Sequence, residues 1–420
     1  MNATQDLYPM IRFLPNEGDV GAVITTDGRM TAAFEIESGE PLWSMTIADT
    51  LSPEGLLGHS GQPFDRESFS IRGLCVDAES EEIVLLVAAP PDSSLSGHGG
   101  PSAVVVLDRE GQSKRQLPCL FSAALAAPRL IFRESTRFMA LGYGSTVTLY
   151  PIDDPGSIAH MYHLYHVTKS RTPGGQIWSD APPQHEMGRL TTLDAVSVEN
   201  LQLICGWEGG EVQRACFSGD SGSSGTTKLV HKLSPRDEND FRSSSSPYLH
   251  NVNLRDVIGV ALIQGDEGWF GISAGIDGRV VLEDGTVLFD SEPSLRYTSP
   301  WGMEPIQGAD FSEFSKSVTA MAHCESLLAF SVDNEFAAST ENPSTRRHNA
   351  RPVHLVDART ATVIQTFAVP DGPVRALDLV VEPETTKVAV QTDSTVALWD
   401  SVRRSITWSR PLAPIVRGSG

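Results

Sequence analysis

The sequence predicts an all-β protein, a seven-bladed β-propeller with inflated inter-strand loops. Three observations carry this reading. Short β-type runs separated by turn residues fill the chain, with almost no stretch of sustained helical period. The runs group into seven units of four short strands. Second strands begin near residues 23, 83, 137, 201, 269, 327 and 387, so the steps run from 54 (83 to 137) to 68 (201 to 269). A small four-stranded sheet cannot bury both faces alone, so neighbours must stack around a channel.

The first unit shows the grammar. Ala22-Val23-Ile24-Thr25-Thr26 runs into Asp27-Gly28, then Met30 to Ile36, Ser38-Gly39 and Pro41 to Met45. Asp-Gly between β-formers is a strong hairpin signal, because the turn needs a positive φ that glycine supplies without strain. This is an up-and-down meander, not βαβ. The pattern returns at Ile71 to Leu107, Leu130 to Tyr150, Leu190 to Phe217, Val257 to Leu282, Val318 to Phe367 and Val374 to Trp408. One domain over 8–412 follows, with approximate blades 8–50, 70–120, 127–167, 189–232, 254–295, 316–368 and 372–412. Segments 168–188, 218–250 and 333–352 are expected loop insertions. Gly219 to Gly225 and Ser243 to Ser246 are low-complexity stretches within them. Met10 to Leu14 is either the inner strand of the first blade or a clasp completing the last.

The sixth and seventh units carry a resemblance. Val353-His354-Leu355-Val356-Asp357-Ala358-Arg359-Thr360 followed by Val363 to Phe367, and Val396-Ala397-Leu398-Trp399-Asp400, resemble WD40 repeats. Trp399-Asp400 is that family's signature dipeptide at the close of a third strand. The other units match by strand rhythm alone. The resemblance implies a diverged WD40-like propeller acting as a scaffold or adaptor inside a larger assembly. A second likeness is local: Ser38-Gly39-Glu40-Pro41-Leu42-Trp43 resembles the Trp-docking repeat of pyrroloquinoline-quinone-type propellers, and occurs once.

Composition narrows the function classes. The chain has 420 residues, 32 basic and 53 acidic, a net charge of −21. A broad cationic surface is excluded, so general affinity for nucleic acid or anionic lipid has no electrostatic support. Cys75, Cys119, Cys205, Cys216 and Cys324 are scattered, odd in number and without CxxC, as expected of reduced thiols in a cytoplasmic or nuclear protein. No apolar run approaches a membrane span, and the N-terminus lacks a signal-peptide pattern.

Candidate chemistry is sparse. Gly219-Asp220-Ser221-Gly222 and Ala320-Met321-Ala322-His323-Cys324 resemble trypsin-like nucleophile and histidine segments, but in reversed order and with Ser223 replacing the next glycine. A serine nucleophile needs a rigid turn and an adjacent base, so the similarity is coincidence. Gly58-His59-Ser60-Gly61-Gln62 lacks the last glycine of an esterase elbow. His160, His163 and His166 form H-x-x-H-x-x-H, which on a helix could hold a metal. Their setting of alternating aromatics reads instead as an outer blade strand. Arg346-Arg347-His348 opens a basic knot in an acidic chain, which reads either as a solvated loop or as a site suited to an acidic peptide, a phosphate or a nucleic-acid backbone. Trp178 and Trp301, beside proline and glycine, are candidate hot-spot anchors. Trp399 and Asp400 read as structural.

The expected function is therefore a non-catalytic, intracellular scaffold with protein partners, no cofactor and no metal. The alternatives are an enzyme whose site assembles at the channel mouth, or a ubiquitin-ligase substrate receptor. Residues 1–20 show no F-box-like helix pair.

Overall fold

A computed structural model describes residues 9–16, 19–52, 65–89, 102–119, 129–133, 136–143, 146–153, 160–163, 168–171, 177–180, 190–197, 200–207, 211–217, 226–232, 257–266, 268–275, 278–291, 317–333, 351–370 and 372–412. Seven four-stranded antiparallel sheets succeed one another, each in simple up-and-down order. Blade 1 is Met10–Asn16, Asp19–Thr26, Met30–Glu35 and Pro41–Thr46. Blade 2 is Ser70–Asp77, Glu82–Ala88, Ser102–Leu107 and Ser113–Cys119. Blade 3 is Arg129–Arg133, Thr136–Tyr143, Thr146–Pro151 and His160–His163. Blade 4 is Leu190–Ser197, Leu201–Trp207, Glu211–Phe217 and Thr226–Lys232. Blade 5 is Val257–Gly265, Gly268–Gly275, Arg279–Leu282 and Val287–Asp290. Blade 6 is Ser317–Cys324, Leu327–Asp333, Arg351–Asp357 and Thr362–Val369. Blade 7 is Val374–Val381, Thr386–Thr392, Thr395–Asp400 and Ser405–Pro411.

The first strand of each blade lies innermost and abuts the first strand of the next, so the seven form a closed ring. The middle strands are buried on both faces, as in Glu82–Ala88 and Ser102–Leu107, because each blade is sandwiched between two neighbours. They therefore read as continuous apolar runs and not as alternating ones.

Two segments differ from expectation. The 218–250 segment contains the outer strand of blade 4, Thr226–Lys232, and the 168–188 segment contains a two-stranded hairpin, Thr168–Arg171 with Ile177–Asp180. Both pairings are long-range or local backbone ladders that polar composition alone conceals. The role of Met10–Asn16 is now settled. It is the inner strand of blade 1 and, among the described residues, pairs only with Asp19–Thr26, so no described strand is exchanged to clasp the ring.

Closure rests on side chains instead. The apolar faces of blades 1 and 7 merge, with Ile11, Phe13, Val23 and Phe34 against Ala389, Val396, Leu398 and Trp408. Trp408 Nε1 donates to Ile36 O at 2.7 Å, and its ring packs on Phe34. Arg410 donates to Ser38 O and Gly39 O at 2.7 and 3.1 Å. Phe13 N donates to Asp378 Oδ2 at 2.7 Å, and Gln391 Nε2 to Thr26 O at 3.0 Å.

The same device recurs around the ring: a side chain from an outer strand leans onto the following blade. Trp43 donates from Nε1 to Arg109 O of blade 2 at 2.8 Å. Gly111 must be glycine there, since its φ is +79° and a Cβ would lie 2.8 Å from the Trp43 ring. Tyr162 of blade 3 meets Phe217 of blade 4, Phe289 of blade 5 meets Phe330 of blade 6, and Phe367 of blade 6 stacks on Trp399 of blade 7. Between blades 2 and 3 the device is ionic. Arg115 of the outer strand reaches Asp153 at 2.9 Å, while Arg137 joins Asp77, Glu82 and Asp153. Arg214 and Glu283, 2.8 Å apart, link blades 4 and 5.

Candidate functional site

Five of the seven inner strands carry a β-bulge at the same place. The register shifts between Ile71 and Gly73, Leu190 and Thr192, Val257 and Gly259, Val318 and Ala320, and Val374 and Ala376. The extra residues are Arg72, Thr191, Ile258, Thr319 and Arg375. A bulge adds twist and re-aims the side chains beyond it. Three residues past it stand Cys75, Asp194 and Asp378, the chemically active positions of the ring's interior.

Asp378 and Asp194 do the same work in blades 7 and 4: each accepts a backbone N–H from the inner strand of the next blade. Phe13 N reaches Asp378 Oδ2 at 2.7 Å, and Leu262 N reaches Asp194 Oδ2 at 2.8 Å. Asp194 also accepts from Arg129 Nε of blade 3 at 3.1 Å and lies 2.9 Å from His323 Nε2 of blade 6. The Asp194–His323 link skips blade 5, so it crosses the channel and not a junction. Arg12 of blade 1 lies 3.9 Å from Asp378.

The two aspartates sit in opposite electrostatic states. Burial alone would raise the Asp194 carboxyl, but His323, Arg129 and the Leu262 N–H outweigh it and hold it well below the usual carboxylate range. Burial dominates at Asp378, pushing its carboxyl up against the pull of Arg12 and the N–H groups of Phe13 and Leu379. Burial likewise lowers the Arg12 guanidinium and raises the Cys75 and Cys205 thiols. Thiols held protonated are poor nucleophiles. His323 bonds a carboxylate, and Cys324 beside it is also raised by burial. Among the described residues no three His, Cys, Asp or Glu side chains gather in a metal-binding arrangement. This cluster joins blades 1, 3, 4, 5, 6 and 7 through Asp194 and Asp378, which hold arginine, histidine and backbone N–H groups of the neighbouring inner strands.

Of the residues singled out from the sequence, Trp399 is buried and stacks on Phe367 with centroids 4.3 Å apart and planes at 5°. Asp400 Oδ1 accepts from Val402 N and Arg403 N, each at 2.9 Å, closing the turn after its strand. Trp178 lies on the strand Ile177–Asp180. Trp301, Arg346, Arg347 and His348 lie outside the described residues, as do His166, Gly58-His59 and Gly219 to Gly222. His160 and His163 lie on the outer strand of blade 3. The Trp-docking motif seen once in sequence, at Trp43, is matched in space by Trp408, whose ring covers Gly39 at φ +68°. Sequence reading missed the channel cluster. Its one signal is the inner-strand repeat apolar-x-small-apolar, as in Ile71-Arg72-Gly73-Leu74 and Val374-Arg375-Ala376-Leu377.

No protein-family profile and no curated protein sequence matches the chain. Solved structures do. The RRP9 WD40 repeats align at 13% identity over 92% of this chain and 88% of that one, with a TM-score of 0.49. U3-55K aligns at 13% identity over 92% and 89%, also with a TM-score of 0.49. The Cps50 (Swd1) β-propeller domain of Myceliophteria thermophila aligns at 11% identity over 93% and 96%, TM-score 0.49. With seven four-stranded antiparallel sheets in a ring, the chain is a seven-bladed β-propeller, and Trp399-Asp400 closes the third strand of blade 7. No helix among the described residues is long and apolar enough to cross a membrane.

Proposed function

We propose that the chain is a non-catalytic scaffold or adaptor that binds protein partners within a larger intracellular complex. The observation that carries this reading is the distribution of its connections. In an up-and-down blade, the connections from second to third strand and from one blade to the next emerge on one face. The long ones all belong to this set: Thr46 to Ser70, Ala88 to Ser102, Cys119 to Arg129, His163 to Leu190, Lys232 to Val257, Asp290 to Ser317 and Asp333 to Arg351. The connections on the other face are shorter, the longest being Pro151 to His160 and Phe217 to Thr226, each with eight residues between strand ends, and most being tight turns such as Asp77 to Glu82 and Asp357 to Thr362. A rigid ring presenting many loops on one side suits recognition of a large surface. Trp178, Trp301, Arg346, Arg347 and His348 all belong to connections attached on that side, and are the proposed partner contacts. Arg351, 3.0 Å from Asp333, ties together the two strand ends flanking the basic knot. The channel charges support the same reading, since they are engaged with one another. Net charge disfavours nucleic acid as the partner.

The test is to tag the full chain at its own locus, purify it at physiological salt and measure the mass of what elutes. A stoichiometric protein partner, lost on Arg346→Glu with Arg347→Glu, is expected. A lone 45.3 kDa species that turns over a substrate at the channel mouth would overturn the proposal.

A further inference from the structure

The inner strands repeat one contact, and it sets one side chain from each blade at the same height in the channel. Three residues past the bulge in blades 2, 4 and 7, an acceptor takes a backbone N–H from the next blade: Cys75 from Leu130, Asp194 from Leu262 and Asp378 from Phe13. Ala261 and Ala322 hold the same count from the bulges of blades 5 and 6. Ala261 directly precedes the donor Leu262, so the residues directly before Leu130 and Phe13 complete the set. These are Arg129 and Arg12. Two arginines thus flank Cys75, and the aspartates stand beyond them in blades 4 and 7.

The channel charges engage one another, yet both arginines keep donors in reserve. Arg12 Nη1 donates to Ile11 O at 2.7 Å, and its nearest carboxylate oxygen, Asp378 Oδ1, lies 3.9 Å away, outside hydrogen-bond distance. Among the described residues, Nε and Nη2 of Arg12 have no acceptor. Arg129 uses Nε on Asp194 Oδ1 at 3.1 Å and has no acceptor there for either Nη group. The two side chains are 19% and 24% exposed although they stand on innermost strands, so water reaches them from the channel. The aspartates are committed elsewhere: Asp194 Oδ2 holds Leu262 N and His323, and Asp378 Oδ2 holds Phe13 N. Burial pushes Asp378 toward its neutral form, whereas a guanidinium keeps its proton at any ordinary pH, so this sector leans positive. Burial and repulsion from Arg129 both act against the charge on Arg12, a cost that an anion between the two relieves.

We propose that the channel binds one small oxyanion, a phosphate or a carboxylate, between Arg12 and Arg129 and beside Cys75. Its oxygens accept from Nε and Nη2 of Arg12 and from the Nη groups of Arg129, the planar fork that a guanidinium offers to both chemistries. So held, the ion links the inner strands of blades 1 and 3 across blade 2. The net charge of −21 is compatible with this, because distant charges are screened beyond about 8 Å at physiological salt while these donors touch the ion. The site takes a small ion inside the ring, so it stands or falls apart from the scaffold reading and the long-loop face.

The experiment titrates the full chain by calorimetry with inorganic phosphate and, separately, with acetate, in chloride buffer of constant ionic strength at neutral pH. Saturable one-to-one binding of at least one anion is expected. Phosphate alone would mark a phosphate ligand, and acetate alone a carboxylate. Arg12→Lys and Arg129→Lys each keep a cation beside the aspartate but lose the fork, and each should weaken binding about tenfold while retaining the wild-type circular dichroism spectrum. Asp378→Asn removes the carboxylate nearest Arg12 and should tighten binding. Absence of saturable binding of either anion at tens of millimolar, or an affinity unchanged in either lysine variant, would overturn the proposal. So would weaker binding to Asp378→Asn, since that carboxylate competes with the ion for Arg12. A protein partner found or missing on co-elution bears on the scaffold alone.

Discussion

Replacing Trp408 by alanine tests whether the ring depends on its unclasped seam. The indole is buried between blades 7 and 1, packs on Phe34 and donates to Ile36 O at 2.7 Å. Truncating a buried tryptophan costs about 3–5 kcal/mol, and here it leaves the Ile36 carbonyl without its donor. Trp408→Phe removes mainly the hydrogen bond and should cost about 1–2 kcal/mol. Trp43→Ala is the internal control, because Trp43 docks on blade 2 in the same way. Blades 1 and 2 are also joined by the chain running from Thr46 to Ser70, whereas blades 7 and 1 have no covalent link. Urea unfolding gives the energies and hydrogen exchange gives the location. Trp408→Ala should expose amides in Met10–Asn16 and Val374–Val381 together, while Trp43→Ala should act only beside its own turn. Identical exchange patterns for the two, or a Trp408→Ala penalty below about 1 kcal/mol, would refute the argument that side chains close the ring.

Arg137→Ala should cost about 3–5 kcal/mol by leaving Asp77 and Glu82, 1% and 7% exposed, without their shared cation. Hydrogen bonds from Arg137 and its neighbours hold Asp77, Glu82 and Asp153 low against burial, so their stabilisation is complete above the unfolded value of about 4 and is lost as pH falls below it. Acid-unfolding curves of the variant should therefore be flatter on that limb, and an unchanged limb would exclude the cluster. Asp194→Asn should destabilise by about 3 kcal/mol at neutral pH. Asp378→Asn should cost much less, because burial has already raised that carboxyl and folding improves as it protonates. Thermal melts at pH 7 and pH 4 should rank the two in that order, and the reverse order would contradict the opposed environments. Gly39→Ala and Gly111→Ala should each lose about 1–3 kcal/mol, from positive φ plus a Cβ at 2.5 Å from Trp408 or 2.8 Å from Trp43. Wild-type melting of either would show that the indoles do not rest on those turns.

The strand rhythm was legible because blade period and turn chemistry are local properties. Asp27-Gly28 between apolar runs and the burial of Ile83 to Leu86 follow from a few adjacent residues. The outer strand of blade 4 was ambiguous, inside both the expected blade range 189–232 and the expected insertion 218–250, because Thr226–Lys232 follows a Gly/Ser tract and carries polar residues. The channel cluster was illegible for a different reason. Arg12 and Asp378 meet at 3.9 Å across nearly the whole chain, and Asp194 meets His323 across the ring. Only closure brings them together, and no spacing along the sequence encodes it. His323 drew notice through a protease-like segment, yet its described partner is a carboxylate that organises the channel. Ser38, Gly39 and Trp43 are close in sequence but dock apart, since Trp43 covers Gly111 of blade 2 and Trp408 of blade 7 covers Gly39, so both pairings appear only in the fold.

A ring that closes without an exchanged strand has a consequence during synthesis. Blade 1 emerges first, and the face formed by Ile11, Phe13, Val23 and Phe34 is covered only when Trp408 has been made. At about 5–20 residues per second, the stretch from Thr46 to Trp408 takes roughly 20–70 s to translate. Throughout that interval a sheet surface rich in β-branched and aromatic groups waits for its last neighbour. The nascent chain is therefore expected to engage holding chaperones, and its yield should depend on elongation speed more than that of a propeller whose first strand is reserved for the final blade.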